Sequence, residues 1–112
     1  MSYPGKYKIT TRQGDTLDKT FTWEVERAPV NLSGFTADMQ VRSSAESETV
    51  VLEAGNFITL GGTLGTVRVN IPAGTIGDLE PGRYLYDLEV NNGGTVTTLL
   101  AGVFQVQPEI TR

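Results

Sequence analysis

Apolar and polar residues alternate one by one through several stretches of this chain. In TLDKTFTWEV (16–25) the alternation begins at Leu17, and Lys19 is its one lapse. FTADMQVR (35–42) alternates in the same way. A period of two belongs to a half-buried β-strand, because successive side chains of a strand point to opposite faces. The pattern therefore predicts strands with one buried face.

Further segments of this kind are short and are bounded by turn residues. Asn92-Gly93, followed by Gly94, predicts a hairpin, because two-residue turns of the primed types need positive φ angles. Gly102 interrupts the last segment and predicts a bulge or a bend at that point. The additional predicted strands cover 50–54, 56–60, 67–71, 83–90 and 95–106.

This spacing of strands and turns is typical of an all-β sandwich. We predict an all-β, immunoglobulin-like antiparallel β-sandwich of about seven strands. The length of 112 residues suits one domain, so the prediction is a single domain over 1–112. Residues 1–7 are a candidate N-terminal arm.

LEPGRYLYDLEV (79–90) places Tyr84 at the start of a late strand, directly after a tight corner. Immunoglobulin-like sandwiches have a tyrosine at this corner, and its hydroxyl bonds back to the backbone a few residues upstream. Tyr86 falls on the same strand face, toward the core. Trp23 is predicted to be the large core aromatic, although the chain has no cysteine and so lacks the antibody disulfide.

The residue types that most enzymes use for catalysis are missing. Without cysteine and histidine, the chain has no thiol nucleophile, no thiolate zinc site and no imidazole base. Carboxylates occur in close pairs, which we interpret as solvated surface, with a weak calcium site at Asp78 and Glu80 as the alternative. We predict that the chain is not an enzyme and has no catalytic, cofactor-binding or metal-binding residues.

The formal net charge is −4. An acidic chain has no electrostatic attraction for nucleic acid or for an anionic membrane, so we predict neither as a partner. No apolar run approaches the length of a membrane span, and the N-terminal stretch MSYPGKYKITTR lacks the apolar core of a signal peptide. We therefore predict a soluble protein that is made in a cytoplasm.

Arg42 ends the strand predicted over 35–42, on its polar side. In an immunoglobulin-like sandwich the third strand commonly pairs with the sixth, which would bring Arg42 toward Asp87 or Glu89. We interpret Arg42 as half of an exposed cross-strand ion pair that contributes about 0.2–1 kcal/mol. Binding of a ligand by Arg42 is the alternative.

Four stretches together resemble a known family: QGDTLDKTFTWEV, PVNLSGFTADMQVR, LEPGRYLYDLEV and TLLAGVFQVQPEITR. They are similar to the small immunoglobulin-like domains of tailed-bacteriophage virion proteins, of the type found at the N-terminus of baseplate upper proteins. The resemblance spans most of 7–112. It implies that Leu32 fills the core and that Gly34 permits the turn into the third strand. No catalytic residue comes with it.

The resemblance implies a non-enzymatic structural protein of a bacteriophage virion, made in the host bacterial cytoplasm. We expect it to contact other virion proteins at the tail, the baseplate or a fibre junction, as a homo-oligomer. A capsid decoration protein and a carbohydrate- or cell-surface-binding module are the alternatives. Tyr3, Tyr7 and Arg42 are the candidate interaction residues, and the two tyrosines lie in a basic segment that precedes the predicted strands.

Overall fold

Most of the residues described by the computed structural model, which are 5–44, 47 and 49–110, lie in β-strands. The fold is therefore all-β, as the alternation predicts, and Tyr3 lies outside the described residues. One short helix, α1 (Ala73–Gly77), and two 3-10 turns, Gly55–Phe57 and Gly62–Leu64, connect some of the strands. The strands are β1 (Gly5–Lys6), β2 (Ile9–Arg12), β3 (Leu17–Thr22), β4 (Glu24–Val25), β5 (Ala28–Pro29), β6 (Thr36–Arg42), β7 (Val50–Glu53), β8 (Ile58–Leu60), β9 (Thr66–Ile71), β10 (Gly82–Asn92) and β11 (Thr95–Gln107).

The larger sheet begins with β1 and β2 on one edge and continues through β11, β10 and β6 to β7. From β11 to β7 all neighbours are antiparallel, whereas β1 and β2 run parallel to β11. The prediction of a purely antiparallel sandwich is therefore wrong at this edge. The described residues also form eleven strands, more than the predicted number, because β1, β2 and β5 lie outside the predicted segments and the segment predicted over 16–25 divides into β3 and β4.

The hairpin between β10 and β11 forms at the predicted residues. Asn92 pairs with Thr95, and the two glycines between them have φ angles of 60° and 101°. Positive φ at both central residues is what a type I′ turn requires. The Asn91 side chain also accepts a hydrogen bond from the Gly94 N–H at 2.8 Å, so the turn is held from both the backbone and a side chain.

The smaller sheet has the antiparallel order β3, β9, β8, and its apolar side shares one buried cluster with the larger sheet. Leu32, in the loop before β6, is 1% exposed within that cluster. Gly34 turns the chain into β6 with a φ of 81°, an angle that glycine adopts without strain. Lys19 is exposed, so this break in the alternation does not bury a charged side chain.

Trp23 lies at the edge of the core and not at its centre. The strand predicted over 16–25 breaks at this residue, because its backbone N–H donates to the Gly65 carbonyl and its carbonyl accepts from Val30. The half-buried indole packs against the core cluster and makes an edge-on contact with Phe35, with 6.5 Å between ring centroids. Phe104, which the sequence leaves unassigned, is the largest fully buried side chain in the described part of the chain.

Gly102 does not mark a bulge. The irregularity in the β10–β11 ladder lies between Leu88 and Glu89, whereas Gly102 pairs in register with Tyr86. A Cβ atom at residue 102 would lie 2.5 Å from the backbone oxygen of Tyr7. The predicted bulge is therefore wrong at this residue, and glycine is required here because the first segment of the chain crosses directly over the last strand.

Tyr86 ties this crossing together. Its hydroxyl donates to the Tyr7 carbonyl at 2.7 Å, and burial raises the pKa of the phenol, which keeps the group a donor. The Tyr7 ring packs edge-on against Phe21, 5.2 Å between centroids, and the residue is 38% exposed. Residues 5–7 of the candidate arm are thus built into the fold, and Tyr7 is only in part available to a partner.

Two tyrosine hydroxyls, of Tyr84 and Tyr86, donate hydrogen bonds of the same length to backbone carbonyls, but the two side chains differ in burial. Tyr84 donates to the Glu80 carbonyl at 2.7 Å in an exposed corner, the contact expected for this motif, while Tyr86 is buried. We expect Tyr86→Phe to lower the free energy of unfolding by about 1–3 kcal/mol and Tyr84→Phe by about 0.5–1 kcal/mol, because water can replace only the exposed donor. Urea denaturation of both variants checks the ranking, and a larger loss in Tyr84→Phe contradicts it.

The hairpin of β4 and β5 has a strained tip. Glu26 and Arg27 have φ angles of 53° and 69°, which side chains with a Cβ atom rarely adopt. Both are exposed. We expect the double change Glu26→Asn/Arg27→Gly, which installs the preferred residues of a type I′ turn, to raise the free energy of unfolding by about 1 kcal/mol. The same pair of residues placed at Asp18 and Lys19, in the middle of β3, should destabilise the protein in the same urea titration.

Candidate functional site

The outer face of the larger sheet carries a polar surface over β6, β10 and β11. The register places Asp38 opposite Glu89, and Gln40 opposite Asp87, which itself faces Ala101 on the next strand. A groove of about 490 Å³ follows these strands. Three carboxylates and one guanidinium line it, together with the apolar side chains of Leu85 and Ala101.

Arg42 lies at one end of the groove, but it does not form the predicted ion pair with Asp87 or Glu89. Its guanidinium donates to the Ser47 carbonyl at 2.6 Å and to the Gln40 side-chain oxygen at 2.8 Å. The reason is the register, which places Leu85 opposite Arg42 and moves both carboxylates farther along β10. The guanidinium is thus held by neutral acceptors, while its charge contributes to a lowered pKa of Glu53.

At the other end of the groove, Asp38 contacts Glu53 on β7. A hydrogen bond between the two side chains, together with desolvation and the charges of Glu53 and Glu89, raises the pKa of Asp38 to about 6. The same hydrogen bond lowers the pKa of Glu53, whose carboxylate also accepts from Gln40 at 2.9 Å. We therefore place the shared proton on Asp38, which donates to Glu53.

This pair makes stability depend on pH. The pKa of Asp38 is raised in the folded state from 3.8 to about 6, so the folded protein holds a proton that the unfolded chain releases. Its contribution is complete below pH 3.8 and is lost as the pH rises through about 6. Between pH 3.8 and about 6, we expect the urea concentration at the midpoint of unfolding to fall less with rising pH in Asp38→Asn than in the wild type. A variant that keeps the wild-type slope would show that another group titrates there.

Gly55 lies next to Asp38 and Glu53 and leaves room for both carboxyl groups. A Cβ atom at Gly55 would lie 2.6 Å from Asp38 Oδ1 and 3.3 Å from Glu53 Oε1. The Gly55 N–H donates to the same Glu53 oxygen at 3.3 Å, and the Met39 N–H donates to Asp38 Oδ1 at 2.9 Å. The Gly55 N–H thus stabilises the Glu53 carboxylate, whereas the Met39 N–H only opposes the larger effects that raise the pKa of Asp38.

Other charged side chains have ordinary structural surroundings. Asp18 on β3 and Arg68 on β9 are diagonal neighbours on the smaller sheet and form an exposed ion pair at 2.8 Å, which lowers the pKa of Asp18. Asp78 and Glu80 are exposed between α1 and β10. Across the described ranges, no three acidic, histidine or cysteine side chains are grouped so that they could hold a metal ion. Nor is any helix in these ranges long and apolar enough to cross a membrane.

Comparison with known proteins yields similarity of structure only. No protein-family model and no curated protein matches the chain. A family 123 glycoside hydrolase from Clostridium perfringens, described for its glycolipid glycan hydrolysis, is similar over 96% of this chain and 23% of its own, with a TM-score of 0.59 and 14% identity. The likeness is one of fold alone. This chain spans less than a quarter of that enzyme, so the enzyme's activity does not transfer to it.

A second solved structure is less similar. CopC from Methylosinus trichosporium OB3b matches with a TM-score of 0.42 and 16% identity, over 69% of this chain and 67% of its own. A score at this level supports no argument about fold or function.

The groove and the Asp38–Glu53 pair at its end combine residues that the sequence singled out with others that it did not. Arg42, Asp87 and Glu89 are in the sequence-based interpretation, but as an ion pair and as solvated surface. Asp38 and Glu53 are not, because they belong to separate strands and only the pairing of β6 with β7 brings them together. The sequence did carry one indication of the pair: Asp38 and Glu53 are acidic residues on the polar sides of the strands predicted over 35–42 and 50–54.

Proposed function

We propose that this chain is a non-enzymatic structural protein of a bacteriophage virion and that it works by protein–protein contact. The tail, the baseplate or a fibre junction is the proposed position, and a homo-oligomer the proposed state. The observation that carries the contact role is the outer face of the larger sheet, where charged groups and apolar side chains share one groove on hydrogen-bonded strands. The resemblance of the sequence to phage virion domains supplies the setting.

We also propose that the fold is an immunoglobulin-like sandwich. Immunoglobulin domains place strands C, F and G in one sheet and B, E and D in the other, and variable-type domains add C′ beside C. The orders β11–β10–β6–β7 and β3–β9–β8 support this assignment, with β6 as C and β10 as F. The Tyr84 hydroxyl contact with Glu80 supports it further, because it matches the tyrosine corner.

Two alternatives remain as competing proposals. A capsid decoration protein would use the same kind of contact surface at another place on the particle. A carbohydrate-binding module would need aromatic rings that are open to solvent, and Tyr7 is the aromatic residue with the largest exposure in the described part of the chain, at 38%. Since its ring already packs on Phe21, the module is the weaker proposal.

Quantitative mass spectrometry of purified particles of the phage or prophage that encodes the chain tests the proposal. We expect the protein at a fixed copy number, since one docking patch on an axially symmetric particle repeats with that symmetry. Antibody labelling in electron microscopy then separates tail from head. Particles that lack the protein, together with binding in a glycan screen, would overturn the virion role in favour of the carbohydrate-binding module.

A further inference from the structure

The geometry points to one kind of partner: we infer that the groove over β6, β10 and β11 binds an extended segment of another protein that carries lysine or arginine at alternate positions. This inference rests on the proposed function, because it names the chemistry of the partner in the same protein–protein contact. It follows from the charge, the lining and the spacing of the groove.

Negative charge in the groove exceeds what the sheet itself neutralises. Asp38 and Glu89 face each other directly across β6 and β10, an arrangement that destabilises a sheet when both are ionised. The charge of Glu89 adds to the rise in the pKa of Asp38, after the larger effects of the Glu53 hydrogen bond, desolvation and the Glu53 charge. Arg42 lines the same groove but donates to Ser47 and Gln40, and among the described residues it forms no ion pair with Asp38 or Glu89. A cationic side chain from outside would relieve the repulsion between them.

The lining suits side chains that have an apolar stem and a charged end. Leu85 and Ala101 contribute apolar surface beside the carboxylates, and both are only partly exposed. Lysine and arginine lay their methylene groups along such surface while the charged end stays near water and acids. A metal ion or a small anion would use neither the apolar part nor the length of the groove.

The spacing of the acids matches an extended chain. Asp87 and Glu89 are two residues apart on β10 and point to the same face, about 7 Å from each other. An extended partner repeats its own side chains on one face at the same interval. Cations at alternate positions would therefore meet successive carboxylates, and a groove of about 490 Å³ has room for only a few residues.

Fluorescence anisotropy with a labelled Lys-Thr-Lys-Thr-Lys peptide at low ionic strength tests the inference. The groove variant is Asp87→Asn/Glu89→Gln, and the matched control is Asp15→Asn/Asp78→Asn, at exposed positions outside the groove lining. Each removes two negative charges from the formal −4 and leaves −2. We expect the groove variant to bind about tenfold more weakly than wild type, and the control to change by about twofold or less.

A second variant tests the shape of the groove without a change in charge. Ala101→Phe should fill the groove beside Leu85 and weaken binding as the charge variant does, while the melting temperature reports that the fold persists. Chemical-shift mapping on the unmodified protein gives the same answer without any substitution, since the peptide should perturb β6 and β10 and not β3 or β9.

Several outcomes would overturn the inference. Equal weakening in the groove variant and the control would mean that only net charge attracts the peptide, and equal binding of a Glu-Thr-Glu-Thr-Glu peptide would exclude charge recognition. Absence of binding to the wild type would also refute it. If sedimentation shows a dimer that the groove variant abolishes, the occupant is a second copy. Virions that contain the protein while the peptide fails to bind leave the proposed function intact and refute only this surface.

Discussion

Phe104→Ala is expected to lower the free energy of unfolding by about 3–5 kcal/mol. Phe104 is 0% exposed, and its ring meets Tyr86 edge-on with 6.3 Å between centroids. Removing the ring loses the free energy gained by burying it and leaves a cavity where β10 and β11 face the smaller sheet. Urea denaturation with a shared m-value gives the difference directly.

Trp23→Ala is the matched comparison for this prediction. Tryptophan is larger than phenylalanine, so residue size alone would give Trp23→Ala the greater loss of stability. The structure reverses that order, because Trp23, directly after β3, is only half-buried, whereas Phe104 is fully buried. We expect Trp23→Ala to cost about 2 kcal/mol. A greater loss for Trp23→Ala than for Phe104→Ala would contradict the packing described above.

Gly102→Ala is expected to destabilise the protein by about 3 kcal/mol or more, an unusually large effect for one methyl group. The added Cβ would lie 2.5 Å from the Tyr7 oxygen and 3.2 Å from its carbonyl carbon, both of them backbone atoms that cannot rotate away. Moving them would also stretch the hydrogen bond from the Tyr86 hydroxyl. The clash and the lost bond therefore add.

Two controls isolate the cause of this effect. Gly74→Ala adds the same methyl group where nothing lies within 4 Å, in α1, and should be neutral or raise stability by up to about 1 kcal/mol. In a chain without residues 1–7 the Tyr7 backbone is gone, so Gly102→Ala should cost much less there. An undiminished cost in the shortened chain would show that Gly102 is needed for another reason, since only contacting residues couple in such a cycle.

The candidate site shows where inference from the sequence stops. Alternation puts Asp38, Arg42 and Asp87 on polar strand faces, and the structure finds each of them on the outer face of the larger sheet. The alternation does not indicate which of these side chains lie opposite one another. Arg42 faces Leu85 and Asp38 faces Glu89, so the predicted ion pair is replaced by two opposed acids. A shift of two residues in register preserves every face and changes every partner.

The sequence by itself determined the all-β class, the buried side of the main strands, the glycine hairpin at 93–94 and the lack of thiol and imidazole chemistry. These properties depend on residue type and on neighbours one to three positions away, which the chain carries before it folds. Tertiary structure alone decided the parallel edge of β1 and β2, the crossing of Tyr7 over Gly102 and the opposition of Asp38 to Glu89 and Glu53. Each joins segments far apart in the chain, and their alignment is set by the packing of the whole core.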